Sequence, residues 1–298
     1  MFALTSLLIC LVAATQLANA APVNSAAAVV TSDDLEWPSQ WVKTEQSTLR
    51  VLVQGSGPSV LIYPSYGRDG GQDFNGISTI LVEAGYKVLR PQPRGIMGSV
   101  GPMSNVTLDD LAGDVAQVID ALAGGRAIVF GHAFGTFVTK RTALNYPDKV
   151  PAIITASPGA PDIPSDIAPL PLVCGNLTLP VSVRLAALEK GFFKPGHNAR
   201  IWLNGWYPET LTLEHAAIEA AGDMTTFWAG ANSTQVLEII PAEDPFQPKA
   251  QWNYTIDRFA ERATVAVVPN ASHALFPENL GSIADIVLPW VKMQSTRL

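Results

Sequence analysis

Three short segments hold the residue types that can do chemistry, and each follows a run of apolar residues. The first is Gly131-His132-Ala133-Phe134-Gly135, which comes directly after Ala127 to Phe130 and opens a helical pattern. The second is Pro241-Ala242-Glu243-Asp244-Pro245, after Val236 to Ile240, and it offers two carboxylates. The third is Pro269-Asn270-Ala271-Ser272-His273, after Thr264 to Val268, and it offers an imidazole. Carboxylate and imidazole are residue types that transfer protons. The centre of the first segment is an alanine, and a methyl group can neither attack a carbonyl nor form an acyl-enzyme.

The elements that must position these residues are legible from periodicity. Leu49 to Val53 and Val60 to Tyr63 are β-rich runs separated by the turn residues Gly55-Ser56-Gly57-Pro58. A helix is expected around Phe74 to Ala84, a strand from Lys87 to Arg90, and a loop rich in Pro and Gly from Pro91 to Pro102. Thr107 with Asp110 resembles a capping box, and Leu108, Leu111, Ala112, Val115, Val118, Ile119 and Leu122 recur at helical spacing until Gly124-Gly125. Ala127 to Phe130 reads as a strand buried on both faces. A helix from Thr136 to Asn145 and a strand from Ala152 to Thr155 follow. The later expectations are a helix at Val181 to Glu189, the strand Val236 to Ile240, a helix over Lys249 to Glu261, the strand Thr264 to Val268 and a helix from Pro277 to Trp290. Strands alternating with helices predict a parallel sheet covered on both sides. Residues 158–233 break that rhythm with many prolines and aromatics, and they read as a cap inserted over the sheet. The expected organisation is a signal peptide at 1–20, a polar lead at 21–47, core at 48–157, cap at 158–233 and core again at 234–298.

Strand, glycine-flanked turn and helix, followed in order by a carboxylate and a histidine at strand ends, resemble the α/β-hydrolase superfamily. Pro93-Arg94-Gly95 is similar to its R-G loop, and His273 through Glu278 to its G-H-x-x-x-x-E segment, with Ser272 replacing the glycine. The resemblance implies an α/β-hydrolase fold, a mostly parallel sheet flanked by helices with an inserted helical cap. It implies His273 as general base, oriented by Asp244, and an oxyanion hole from the backbone N–H groups of Phe134 and Tyr66. It also implies that Ala133 occupies the position of the nucleophilic serine, where it is inert. The family's His-Gly pair after the third strand is replaced by Pro64-Ser65.

Other residues compete for these roles. Asp162, in the loop after Ala152 to Thr155, is a rival acid. Ser65 and Thr136 are the nearby hydroxyls that could replace the missing nucleophile, although loop and helix-start roles suit them better. His132 reads as a structural residue of the turn, and His197 and His215 as residues of the cap. The cap aromatics Phe192, Phe193, Trp202, Trp206, Tyr207 and Phe227 read mainly as core of that unit, with some lining an apolar pocket. No two of the four histidines have metal-ligand spacing, so no metal and no cofactor is expected.

Composition bounds the partners. Of the 298 residues 48% are hydrophobic and 15% charged, with a formal net charge of −7, which suits one large α/β domain. Lys and Arg are scattered, so nucleic acid is not an expected partner. The apolar stretch Leu7 to Ala14, followed by Ala18-Asn19-Ala20, reads as a signal peptide, too short to span a membrane. Five N-x-[ST] sequons, at Asn105, Asn176, Asn232, Asn253 and Asn270, agree with a eukaryotic secretory route and N-glycosylation. Cys10 would leave with the signal peptide and Cys174 would stand alone, without an intrachain disulfide. The expected partner is a small, fairly apolar molecule, as substrate of a His-Asp dyad or as ligand of a pseudoenzyme. A third option is a serine-type esterase rescued by another hydroxyl.

Overall fold

The computed structural model describes residues 37–222 and 234–298. The expected signal peptide, most of the polar lead, Phe227 and the sequon at Asn232 lie outside the described residues.

One eight-stranded sheet organises the fold, in the order β1-β2-β4-β3-β5-β6-β7-β8. The strands are β1 (Ser39–Lys43), β2 (Thr48–Gln54), β3 (Ser59–Tyr63), β4 (Lys87–Pro91), β5 (Ile128–His132), β6 (Ala152–Ala156), β7 (Gln235–Pro241) and β8 (Ala263–Val268). β2 runs antiparallel to both β1 and β4, while the strands from β4 to β8 are mutually parallel. The central strands β3, β5 and β6 are buried at every residue. That is why they read as continuous apolar runs rather than as alternations.

Alternate residues of these strands feed two cores. Leu61, Val129 and Ile153 pack with α2 (Leu108–Leu122) and α3 (Gly135–Asn145) on one face. Val60, Ile62, Ile128, Phe130 and Ile154 pack with α1 (Asn75–Glu83) and the long C-terminal helix (Leu275–Gln294) on the other. The expected capping box at α2 is present: Thr107 Oγ1 accepts the Asp110 N–H, and the Asp110 side chain accepts the Thr107 N–H.

Between β6 and β7 lies the cap, with helices α4 (Leu170–Gly175), α5 (Val181–Gly191) and α6 (Pro208–Ala221). Its own core, around Leu170, Leu188, Phe192, Trp202, Trp206 and Leu211, also takes in Phe246 and Ala274 from the loops after β7 and β8. Cap and sheet edge therefore share apolar contacts directly above the strand ends.

Two expectations need correction. The lead expected at 21–47 contains the edge strand β1, in which only Val42 is buried, so its residues show no readable alternation. The helix expected over Lys249 to Glu261 is broken into a 3-10 turn (Lys249–Gln251), a short helix α7 (Tyr254–Phe259) and a second 3-10 turn (Ala260–Arg262). Only Thr255 and Phe259 of α7 are buried, and Ala260 ends it at φ +48°. One turn of burial is too little to extend a helix. The C-terminal helix is α8, Leu275–Gln294, which runs beyond the expected Trp290 and is kinked at Asn279 (φ −150°, ψ 60°) near its start.

Candidate active site

β5 delivers the chain to its turn at the place where strand order reverses, since β4 and β5 lie on opposite sides of β3. Loops after the C-terminal ends of such strands open a crevice between them. The turn itself is sterically specified. A Cβ on Gly131 would lie 2.3 Å from Gly135 O, and one on Gly135 would lie 2.4 Å from Tyr63 O. Neither position admits a side chain. Ala133 sits between them at φ +48°, a left-handed conformation that costs an L-residue roughly 1–2 kcal/mol. Its N–H donates to Ala156 O at 2.9 Å, and its carbonyl accepts Thr136 Oγ1 at 2.7 Å. Thr136 is fully buried and committed to that bond, the helix-start role expected of it.

Asp244 and His273 meet across the ends of β7 and β8. His273 Nδ1 lies 2.9 Å from Asp244 Oδ2, and the other carboxylate oxygen, Oδ1, accepts the Phe246 N–H at 2.9 Å. A carboxylate accepts, so Nδ1 carries a proton, and in the neutral ring the lone pair is on Nε2. Both residues are only 5% exposed. The Phe246 ring lies 4.4 Å from the imidazole between centroids, and Phe192 approaches it edge-on at 5.3 Å. Asp162 is exposed, and its backbone pairs with the Gln251 side chain. It is not the carboxylate beside His273.

The backbone of His273 is held as firmly as its ring. Its carbonyl accepts His132 Nε2 at 3.0 Å and Ser157 Oγ at 3.1 Å. A carbonyl only accepts, so neutral His132 carries its proton on Nε2. Burial, reinforced by neighbouring His273, pushes the His132 pKa down to about 3. Ser157 follows β6 at φ +47° and was not singled out from sequence. Glu278 closes the same loop: Oε2 accepts the Ser272 N–H at 2.5 Å and Oε1 the Lys194 N–H of the cap at 2.7 Å.

The loop after β3 faces the turn. The Tyr66 ring packs on Phe134 with centroids 4.6 Å apart. The N–H groups of Tyr66 and Phe134 donate to no other group among the described residues. Ser65 is buried, and its carbonyl closes a turn with the Arg68 N–H at 3.2 Å. Burial, then Glu214 and Glu219, raises the Tyr66 phenol pKa, so it stays protonated. Pro93-Arg94-Gly95 lies behind this loop: Arg94 is buried and pairs with Asp114 at 2.7 Å.

Of the remaining sequence candidates, His197 is exposed, and His215 lies on α6 with its ring 6.5 Å from that of Tyr66. Phe192, Phe193, Trp202 and Trp206 are buried and Tyr207 is half-buried. Asn105, Asn176, Asn253 and Asn270 are all exposed. Burial pushes the Cys174 thiol up to about 12, which leaves it no reactive thiolate. Among the described residues no helix is long and apolar enough to cross a membrane.

Comparison with known proteins bears on the fold. A family model described as alpha/beta hydrolase fold matches residues 58–173. An epoxide hydrolase of Caballeronia sordidicola is 30% identical over 121 residues, 39% of this chain and 36% of that protein. A 2-(acetamidomethylene)succinate hydrolase of Mesorhizobium japonicum is 30% identical over 125 residues, 39% of this chain and 41% of that protein. The chain thus spans less than half the length of these curated relatives. Among solved structures, a thermophilic esterase from Thermogutta terrifontis superposes with a TM-score of 0.72 at 17% identity, covering 86% of this chain and 98% of the other. The crystal structure of an E-2-(acetamidomethylene)succinate hydrolase gives 0.70 at 20% identity, covering 86% and 99%.

Proposed function

We propose that this chain, a member of the α/β-hydrolase superfamily with hydrolases among its relatives, is an enzyme that works without a nucleophilic serine. His273 and Asp244 act as a general-base dyad on a small, fairly apolar molecule. The observation that carries the reading is the 2.9 Å bond from His273 Nδ1 to Asp244, beside a turn still held at φ +48° around Ala133. An imidazole so oriented has one task open to it, accepting a proton at Nε2.

In a hydrolysis, His273 Nε2 takes a proton from water as the water oxygen attacks the substrate carbon. The developing oxyanion is held by the N–H groups of Phe134 and Tyr66, whose lack of other acceptors supports that role. Collapse expels the leaving group, which takes the proton back from His273. A lyase or isomerase step would use the same base and the same oxyanion donors. The apolar nature of the substrate is supported by Phe192, Phe246, Tyr66 and Trp202 packed around the dyad and the turn. The exposure of four sequon asparagines supports N-glycosylation on a secretory route.

The test is turnover of a panel of small esters, thioesters and epoxides, followed by product mass spectrometry. The unaltered chain converts at least one, and His273→Ala does not. Equal activity in His273→Ala overturns the reading. Ala133 itself favours a second reading, a pseudoenzyme that binds a ligand at the same site. That reading predicts saturable binding with no product from any member of the panel.

A further inference from the structure

Cap helix α6 and its N-terminal residue Tyr207 come closest to the backbone of the loop after β3 at Gly67. A Cβ there would lie 2.8 Å from Leu211 Cβ and 3.2 Å from Tyr207 O, and Gly67 has φ +53°. The helix therefore sits as close to this backbone as it can. Both polar groups of Gly67 are taken by α6: its carbonyl accepts the Tyr207 N–H at 2.9 Å, and its N–H donates to Glu214 Oε2 at 2.6 Å. A further bond, from Thr210 Oγ1 to Arg94 O at 2.8 Å, fixes the same helix to the loop after β4.

Glu214 is fully buried, and its Oε1 has no hydrogen-bond partner among the described residues. It makes no ion pair among them either. An unpaired carboxylate is costly in such a place, and burial raises the Glu214 pKa well above the usual carboxylate range. What the buried carboxyl does hold is one backbone N–H, that of Gly67.

Tyr66 lies between two tied peptides. The carbonyl of the 65–66 peptide is held by the Arg68 N–H, and the N–H of the 66–67 peptide by Glu214. With both planes fixed, the direction of the Tyr66 N–H is fixed as well. We propose that Glu214 is a positioning residue for the oxyanion hole, aiming the Tyr66 N–H from the cap by holding the peptide that follows it. This rests on Tyr66 and Phe134 being the oxyanion donors.

Two readouts test it. In the chain labelled with 15N-glycine, Glu214→Leu speeds hydrogen exchange at Gly67 by about tenfold or more, as loss of one hydrogen bond requires. Glu214→Gln retains slow exchange, because its amide oxygen accepts the same N–H. In the Ala133→Ser chain, Glu214→Leu lowers kcat for p-nitrophenyl butyrate by roughly 10- to 100-fold with KM little changed, below the 10²–10³ of losing a donor outright. Glu214→Gln restores it. Should Glu214→Leu fail to fold, Glu214→Ala carries the same expectations. Unchanged Gly67 exchange, or turnover indifferent to Glu214, overturns the proposal alone. No turnover in a folded Ala133→Ser chain overturns the oxyanion reading and the proposal with it.

Discussion

Replacing Ala133 by serine adds one oxygen at the point of the turn, and the structure bounds what that oxygen does. Ala133 is 4% exposed at φ +48°, so serine inherits the same backbone strain and a buried hydroxyl. An unpartnered hydroxyl there costs roughly 1–3 kcal/mol, whereas one that donates to His273 Nε2 costs little. The expected loss of unfolding free energy is therefore under about 1 kcal/mol. The rate has a ceiling too. Removing such a serine from a working hydrolase costs roughly 10⁶ in kcat, about 8 kcal/mol, so restoring it regains at most that much. A rise on the order of 10³- to 10⁶-fold in p-nitrophenyl butyrate hydrolysis is expected. Fluorophosphonate should label the variant once per chain by intact mass and leave the unaltered chain bare. A folded Ala133→Ser chain that neither labels nor hydrolyses refutes the reasoning, because His273 Nε2 would then not face the turn.

Asp244→Asn removes the acceptor that keeps the imidazole proton on Nδ1; turnover should fall by about 10²- to 10⁴-fold with the fold intact by circular dichroism. Gly135→Ala places a methyl 2.4 Å from Tyr63 O, and denaturant unfolding should show a loss of about 1–3 kcal/mol or more. His132, whose pKa burial pushes down to about 3, stays neutral in the folded chain while the unfolded chain takes up a proton near its ordinary value. Its contribution is thus present above about pH 6.5 and lost progressively as pH falls toward 3, on the order of a few kcal/mol in all. His132→Asn, which can still donate to His273 O, should flatten that acid limb in unfolding curves measured from pH 7 to pH 4.

How much of this was legible in the sequence depends on what each residue buries. The central strands announce themselves because every residue of β3, β5 and β6 is inside. α2 does so because its apolar stripe and its Thr107–Asp110 cap coincide. Gly131 and Gly135 could be picked out because backbone crowding leaves them no alternative. β1 was hidden by its single buried residue, and the break after Gln251 by a Lys249 to Glu261 stretch that only Thr255 and Phe259 anchor. Glu214 was missed although a signal existed. With Thr210, Leu211, Leu213 and Ala217 it forms the buried stripe of α6, where a carboxylate is out of place. Ser157 left no signal, since its left-handed backbone and its bond to His273 O arise only once β6, β7 and β8 are assembled in one sheet.

The central claim is that His273, oriented by Asp244, performs chemistry in a chain with alanine at the turn. The most direct measurement incubates the purified chain, and separately its His273→Ala variant, with small-molecule extracts and compares products by untargeted mass spectrometry. The account predicts at least one substrate consumed and one product formed by the unaltered chain, both lost in His273→Ala. Products that persist unchanged in the variant, or none with either chain, would contradict it.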